Sequence, residues 1–268
     1  MKATLLVSAA NPPATLALTC AALERQSWPE LEIFFCEDGA ESEVAQVVAA
    51  FQSRARFSVR HFTQEGGRFR KGRVMNAGAR EASGEVLVFL DGDCVPHRDY
   101  VADHMRATRE GRYLAGRRVE LGPMLSRGLT PQKVRAGYFD FPRPSLVWSA
   151  LRGDSENLQR TVRVPWPWAR RILKMASVVD LKGCNYSVLR SDFAAINGYD
   201  ESYEGYGRED TDVEIRLQNH GLKIHSMKGL ALQFHVWHPR REFTPSNDAR
   251  LEELRRSRRV RCEQGLAK

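Results

Sequence analysis

Glu85-Val-Leu-Val-Phe-Leu-Asp-Gly-Asp-Cys-Val-Pro-His97 is the stretch from which the fold can be read. Val86 to Leu90 is a short, continuous apolar run rich in β-branched residues and closed by a turn, the pattern of a strand covered on both faces. Asp91 and Asp93 fall where that strand ends. On a parallel sheet this is the carboxyl edge, where open α/β folds bind their ligands. Two carboxylates flanking Gly92 at such an edge suit a hard divalent cation, Mn²⁺ or Mg²⁺, with positions left for phosphate oxygens. A solvated turn with two ordinary acids would look the same in isolation.

Upstream, apolar runs alternate with helical spacing. Ala3 to Ser8 reads as a first strand, broken by Asn11-Pro-Pro13 before a helix over Ala14 to Gln26. Leu31 to Cys36 is a second strand ending in Glu37-Asp38-Gly39, and Ser42 to Phe51 a second helix. Phe57 to Phe62 is a third strand, Gly66-Gly67 opens a loop, and Lys71 to Ala82 is a third helix leading to the central strand. This alternation predicts an α/β fold with a mostly parallel sheet and right-handed crossovers. Polar residues then gather at one edge, where Asp38 can accept from a base or ribose and Arg70 can pair with a carbonyl or phosphate. A turn residue and a solvated arginine are the plainer alternatives.

The chain has 268 residues, enough for one large domain, and carries a formal net charge of +8, which favours an anionic partner. The five cysteines are odd in number, widely spaced and without a C-x-x-C pair, as expected of reduced thiols. With no bilayer-length apolar run and no leader pattern, the expectation is a cytoplasmic protein.

The three stretches Glu37-Asp38-Gly39, Arg70-Lys-Gly-Arg-Val-Met-Asn76-Ala-Gly78 and Gly84 to Asp93 resemble, in order and spacing, the nucleotide-sugar-binding half of a family 2 glycosyltransferase. The resemblance implies the GT-A fold, a Rossmann-like, mixed but mostly parallel sheet flanked by helices. It implies a single domain with a nucleotide-binding half over residues 1–97 and an acceptor-binding half over 98–240. It places Asp38 and Arg70 on the uracil and ribose, Asp91 on the ribose or metal, and Asp93 on a metal bridging the diphosphate. Asn76 and Gly92 join the donor site on the same grounds. Ser8-Ala-Ala-Asn11 departs from the family's usual Pro-Thr-Tyr-Asn, so Ala10 replaces an aromatic at a base-contact position.

Tyr100 to Arg109 has helical spacing, and Arg112 to Glu120 reads as a strand carrying Arg117 and Arg118. Between residues 137 and 175 the pattern loosens into scattered prolines, arginines and aromatics, Trp148, Trp166 and Trp168 among them. Such an insert reads as a lid or binding loop, as a surface set against an anionic membrane or lipid-linked acceptor, or as a loop whose tryptophans pack on the domain.

A second informative block begins at Leu181. Lys182 to Arg190 reads as a turn into a strand, Ser191 to Phe193 opens a short helix, and Arg208 to His220 is a longer one stopped by Gly221. Its first turn holds Glu209, Asp210 and Asp212, where the helix dipole favours acids and should keep a general base ionised. Gly205-Tyr-Gly-Arg-Glu-Asp210 resembles the Gly-Trp-Gly-x-Glu-Asp signature of galactosyl- and N-acetylgalactosaminyltransferases. The resemblance makes Asp210 the catalytic base, Glu209 a sugar contact and Tyr206 the floor of the sugar site. It gives Asn185 and Asp192 structural roles.

His235-Val-Trp-His238 follows a strand expected over Leu230 to His235, and two imidazoles three residues apart suggest a further metal ligand. The resemblance selects His238, with His235 as the alternative; Trp237 is expected to pack. The tail, residues 241–268, reads as a basic helix, solvated or set on a membrane.

Together these readings describe an inverting transfer of sugar from a UDP-sugar to a hydroxyl of a glycan or lipid-linked glycan. By analogy with the family, bacterial envelope polysaccharide or lipopolysaccharide is the setting. Peripheral contact with an anionic membrane is compatible with it, and nucleic acid is not an expected partner. A sugar-nucleotidyltransferase would need a glycine-rich loop after the first strand, which Ser8-Ala-Ala-Asn-Pro-Pro13 does not supply. A catalytically silent basic module that docks on membrane or nucleic acid is the alternative from another class.

Overall fold

The computed structural model describes residues 1–9, 12–65, 69–177, 180–239 and 242–267. In chain order the first half comprises β1 (Ala3–Ser8), α1 (Pro13–Leu23), β2 (Leu31–Asp38), α2 (Ser42–Gln52), β3 (Ser58–Gln64), α3 (Lys71–Arg80), β4 (Val86–Asp91), β5 (Cys94–Pro96) and α4 (Tyr100–Ala107). There follow β6 (Arg112–Ala115), β7 (Val119–Glu120), α5 (Pro123–Arg127), α6 (Pro131–Arg135), α7 (Pro144–Leu151), a 3-10 turn (Leu158–Thr161) and α8 (Pro167–Ile172). The chain closes with β8 (Asn185–Leu189), α9 (Arg190–Ala195), α10 (Glu209–Asn219), β9 (Lys223–Ser226), β10 (Gln233–His235) and α11 (Ser246–Ser257).

Among the described residues, the main sheet has seven strands in the order β3-β2-β1-β4-β8-β6-β9. β1 pairs in parallel with β2 and β4, placing Ser8 beside both Cys36 and Asp91 at one edge. β8 enters antiparallel between β4 and β6, so the sheet is mixed, and residues from both halves of the chain share it. Val86 to Leu90 are fully buried, each large side chain contributing ~1.5–3 kcal/mol by its removal from water. Their alternate faces feed two cores, Val86, Val88 and Leu90 into one and Leu87 and Phe89 into the other.

A three-stranded sheet, β5-β10-β7, lies apart from the main one. Here the sequence expectations need correction. Residues 112–120 are not one strand: β6 pairs with β8 and β9, while β7 turns away to pair with β10. The last strand is only Gln233–His235, held antiparallel to β5 immediately after the Asp91-Gly92-Asp93 turn. This small sheet is what brings residues near 94, 120 and 235 together.

The insert is a run of short helices, and its tryptophans do not pack on the domain: Trp148, Trp166 and Trp168 are exposed. Trp237, expected to pack, is also 47% exposed. All five cysteines are free and buried. No helix among the described residues is long and apolar enough to cross a membrane.

Candidate active site

The Asp91-Gly92-Asp93 turn joins two clusters. Gly92 is buried, its N–H donating to the Ser8 carbonyl at 2.8 Å and its carbonyl accepting from the Thr19 hydroxyl at 2.9 Å. With the backbone fixed between β1 and α1, the two carboxylates on either side of Gly92 reach different neighbours.

On the Asp93 side, Asp93, His235 and His238 offer ligand atoms that lie within 4.8 Å of one another. Asp93 Oδ2 is 3.1 Å from His238 Nε2 and 3.6 Å from His235 Nε2, and the two imidazole nitrogens are 3.2 Å apart. His235 Nδ1 faces Glu120 Oε2 at 2.7 Å, and His238 Nδ1 faces the Pro239 carbonyl at 2.8 Å. Each outer nitrogen therefore has an acceptor to donate to, which leaves the Nε2 lone pairs turned inward beside the carboxylate. One carboxylate and two imidazoles, oriented this way, fit a divalent transition ion better than Mg²⁺, which prefers oxygen ligands. The cluster otherwise concentrates positive charge on its rings: burial opposes the charged form of His235, but hydrogen bonds with Asp93 and Glu120 outweigh it and lift its pKa to about 9. Burial likewise disfavours the Asp93 anion, yet the two imidazoles hold it well below the usual carboxylate range. The sequence offered His235 and His238 as alternatives; the structure brings both to Asp93.

Asp91 does not join this trio. Its Oδ1 lies 3.1 Å from Nζ of Lys71, the buried first residue of α3, and the same Nζ is 3.7 Å from Asp210 Oδ1. Burial pulls the Lys71 pKa down, but Asp210, Asp91 and Glu209 reverse the effect and raise it well above the ordinary value. Asp210 also accepts from the Tyr199 hydroxyl at 3.3 Å, which is itself 2.6 Å from the Tyr186 hydroxyl. Glu209 accepts from the Gly207 N–H at 3.1 Å.

The helix dipole is not the only influence on Asp210. Burial raises its pKa, with Lys71 pulling the other way, and the net direction is upward. Burial and the neighbouring Asp210 charge push Glu209 to about 7. Desolvation at the start of α10 thus opposes ionisation of both carboxyls, and Lys71 is the main counterweight.

Two glycines shape this cluster. A side chain on Gly183 would place Cβ 1.8 Å from Asp210 Oδ2, so the Lys182-Gly-Cys turn can pass only as glycine. Gly207 has φ of 108° and faces the Phe243 ring, where a Cβ would come within 2.6 Å. Arg208 follows at φ 77°, an unusual left-handed residue held by Asp248 at 2.6 Å and by the Phe243 ring. Together these force Glu209 and Asp210 into the first turn of α10.

The remaining predicted positions fall elsewhere. Asp38 accepts from Gln64 Nε2 at 2.6 Å and from the Arg70 N–H, while Arg70 Nη2 donates to the Glu65 carbonyl at 2.6 Å. Asp38 ends β2 and Arg70 immediately precedes α3, beside a cleft that Arg70 shares with Arg73 and Glu204. Asn76 is not placed to touch a donor: it is fully buried and brackets Tyr199, taking its N–H at 2.9 Å and donating to its carbonyl at 2.9 Å. Asn185 is equally buried, donating to the Arg117 and Ala231 carbonyls. Tyr206 is 45% exposed, with its backbone bridged to Phe243. Ala10 lies outside the described residues, as do Asn11 and the Gly66-Gly67 loop.

Sequence reasoning missed Lys71, Glu120, Arg118 and Tyr199. Lys71 was readable, since it shares a helical face with the buried Val74, Met75 and Gly78 while Arg73 and Arg80 point away. Glu120, which also accepts from Arg118 Nε at 2.6 Å, meets His235 only through the β7–β10 pairing and left no local signal.

The family model described as "Glycosyl transferase family 2" matches residues 4–171, and that described as "N-terminal domain of galactosyltransferase" matches residues 176–239. Validoxylamine A glucosyltransferase of Streptomyces hygroscopicus subsp. jinggangensis is 28% identical over 233 residues, 80% of this chain and 50% of that protein. The chain thus spans about half the length of such curated relatives. The uncharacterized glycosyltransferase YfnE of Bacillus subtilis is 22% identical over 295 residues, covering 98% of this chain and 70% of its own. Among solved structures, S. aureus TarS 1-349 in complex with UDP-GlcNAc superposes with a TM-score of 0.64 at 13% identity, covering 100% of this chain and 69% of that one. The mannosyltransferase PcManGT of Pyrobaculum calidifontis, in complex with GDP-Man and Mn²⁺, gives 0.60 at 14% identity, covering 89% and 58%.

Proposed function

The chain belongs to glycosyl transferase family 2 and has the GT-A fold of a glycosyltransferase, and from that premise we propose that it transfers a sugar from a UDP-sugar to an acceptor hydroxyl in one inverting, metal-dependent step. The observation that carries the reading is the single turn whose Asp93 meets His235 and His238 while its Asp91 meets Lys71 and, through it, Asp210. A catalytically silent basic module would leave that convergence without a role.

Residues 1–97 supply most of the donor side in this reading, and 98–240 the acceptor side. Asp93, His235 and His238 would hold Mn²⁺, which when bound neutralises charge gathering on the departing diphosphate. The solved relatives with UDP-GlcNAc or with GDP-Man and Mn²⁺ support such a donor and such an ion. Arg118, aligned by Glu120, adds a fixed cation on the same side. Asp38 and Arg70 border the base and ribose, and Asp91 reaches the ribose once Lys71 shares its charge. Tyr206 offers an apolar face to the transferred sugar.

Asp210 takes the proton from the acceptor hydroxyl as that oxygen attacks the anomeric carbon. Lys71 keeps the carboxylate ionised until then, and Gly183, lacking a side chain, leaves the space that the carboxylate occupies. With no covalent intermediate, an α-linked donor gives a β-glycoside. A glycan or lipid-linked glycan of the bacterial envelope is the acceptor class in this reading, by family analogy.

The test is a panel of UDP-sugars with released UDP measured, alongside thermal shift with UDP in the presence and absence of Mn²⁺. Asp210→Asn should retain the Mn²⁺-dependent UDP shift and lose ~10²–10⁴-fold in transfer. Asp93→Ala should abolish the Mn²⁺ dependence of the shift. Ordinary turnover by the Asn variant, or a wild-type UDP shift indifferent to Mn²⁺, would overturn the reading.

A further inference from the structure

Most of the large apolar side chains left exposed lie in the insert between β7 and β8. Phe141, Trp148, Leu151, Trp166, Trp168 and Ile172 are all between 58% and 76% exposed. α7 buries Leu146 and Ser149 and turns Val147, Trp148 and Leu151 outward. α8 buries no residue of its own; it is tied down by Arg170, whose guanidinium reaches the Ser226 and Lys228 carbonyls, and it presents Trp168 and Ile172 to solvent. Neither helix needs these aromatics for its packing.

The charge around them is one-sided. Residues 124–174 contain ten lysines and arginines against three acids, in a chain whose formal net charge is +8. Arg152 lies over the Trp148 ring at 4.8 Å, while Arg171 and Lys174 are exposed beside Trp168 and Ile172. A tryptophan with an apolar body and a polar N–H, set among arginines, matches the headgroup level of a bilayer, and anionic lipid adds electrostatic attraction.

The insert is anchored at the reacting edge of the sheet at both ends. α5, against which α7 packs, accepts the Trp237 N–H on Ser126 Oγ at 2.9 Å, next to the metal-site histidines. α8 is held at the end of β9, where Ser226 pairs with Ala115. We propose that the outward faces of α7 and α8 dock on an anionic lipid surface, with Trp148 and Trp168 at headgroup level and Arg152, Arg171 and Lys174 against lipid phosphates. Docking of this kind does not depend on the transfer reaction; where the reading above holds, it sets the reacting edge beside acceptors carried on lipid.

The full chain is incubated with phosphatidylcholine vesicles with and without phosphatidylglycerol, sedimented, and followed by tryptophan emission and by quenching from brominated lipid. The expected result is binding to the mixed vesicles only, weakened by salt, with a blue shift and quenching. Trp148→Ser combined with Trp168→Ser should lower vesicle affinity at least tenfold, and Arg171→Ala or Lys174→Ala about fivefold each. In all of these the thermal unfolding midpoint without ligand should be unchanged, which certifies the fold. Failure to bind mixed vesicles, equal binding to neutral ones, an unaltered double-tryptophan variant, or self-association that hides the tryptophans would each overturn the proposal.

Discussion

Replacing Lys71 by methionine removes a buried cation while keeping most of its length. Nζ lies 3.7 Å from Asp210 Oδ1, so at an effective dielectric of about 20 the lost attraction is about 4.5 kcal/mol before screening. Water entering the vacated space screens part of this, and what remains raises the Asp210 pKa. The sign follows from the form that works. In the proposed reaction Asp210 would act as a carboxylate; its pKa is already raised by burial, and losing the cation raises it further, so at a given pH less of it is ionised. Glu209, at about 7, titrates with it as a pair, and the acid limb of the rate profile belongs to both. Released UDP, measured across pH, should show the limb displaced to higher pH, with activity returning as pH rises past the new midpoint. Lys71→Arg should keep the limb near its original place. A loss of the same factor at every pH, with the limb unmoved, would refute the electrostatic role of Lys71.

Two further outcomes follow from the same geometry. Glu120→Gln removes the carboxylate 2.7 Å from His235 Nδ1 and should weaken Mn²⁺ binding ~10–100-fold in a titration of the UDP-dependent thermal shift; unchanged affinity would mean that Glu120 does not orient the ring. Asp212→Ala strands the fully buried Arg216, whose Nε lies 2.6 Å from Asp212 Oδ1, and should cost ~3–5 kcal/mol in urea unfolding. A cost below ~1 kcal/mol would show that the carbonyls of Ile196 and Gly198, each 2.7 Å from Arg216 Nη1, suffice without it.

The elements that were legible in the sequence are those whose burial is local. Val86 to Leu90 announces β4 because both faces are covered, and α10 was readable as residues 208–220 against an observed Glu209–Asn219 because its apolar spacing and Gly221 mark it. Strand neighbours were not legible. Nothing in Asn185–Leu189 says that it will run antiparallel beside β4, and that placement is what sets Gly183 against Asp210. In the run Arg70-Lys-Gly-Arg73, by contrast, the phase of the helix was enough to mark Lys71 as the inward cation, although the sequence reading did not use it. The insert left several readings open, since its tryptophans follow no core periodicity, and the structure leaves them in solvent.

The Asn76 bracket has a consequence for chimeras. Asn76 sits on α3, grips Tyr199 through both of that residue's backbone polar groups, and Tyr199 in turn touches Asp210 with its hydroxyl. The same helix therefore carries the lysine facing the carboxylates and the amide that aligns their neighbour. Exchanging the C-terminal half with that of a relative would pair a foreign Tyr199 loop with the resident α3. A graft that keeps residues 71–80 and 199–210 from one parent should retain its turnover where a cut between them would not.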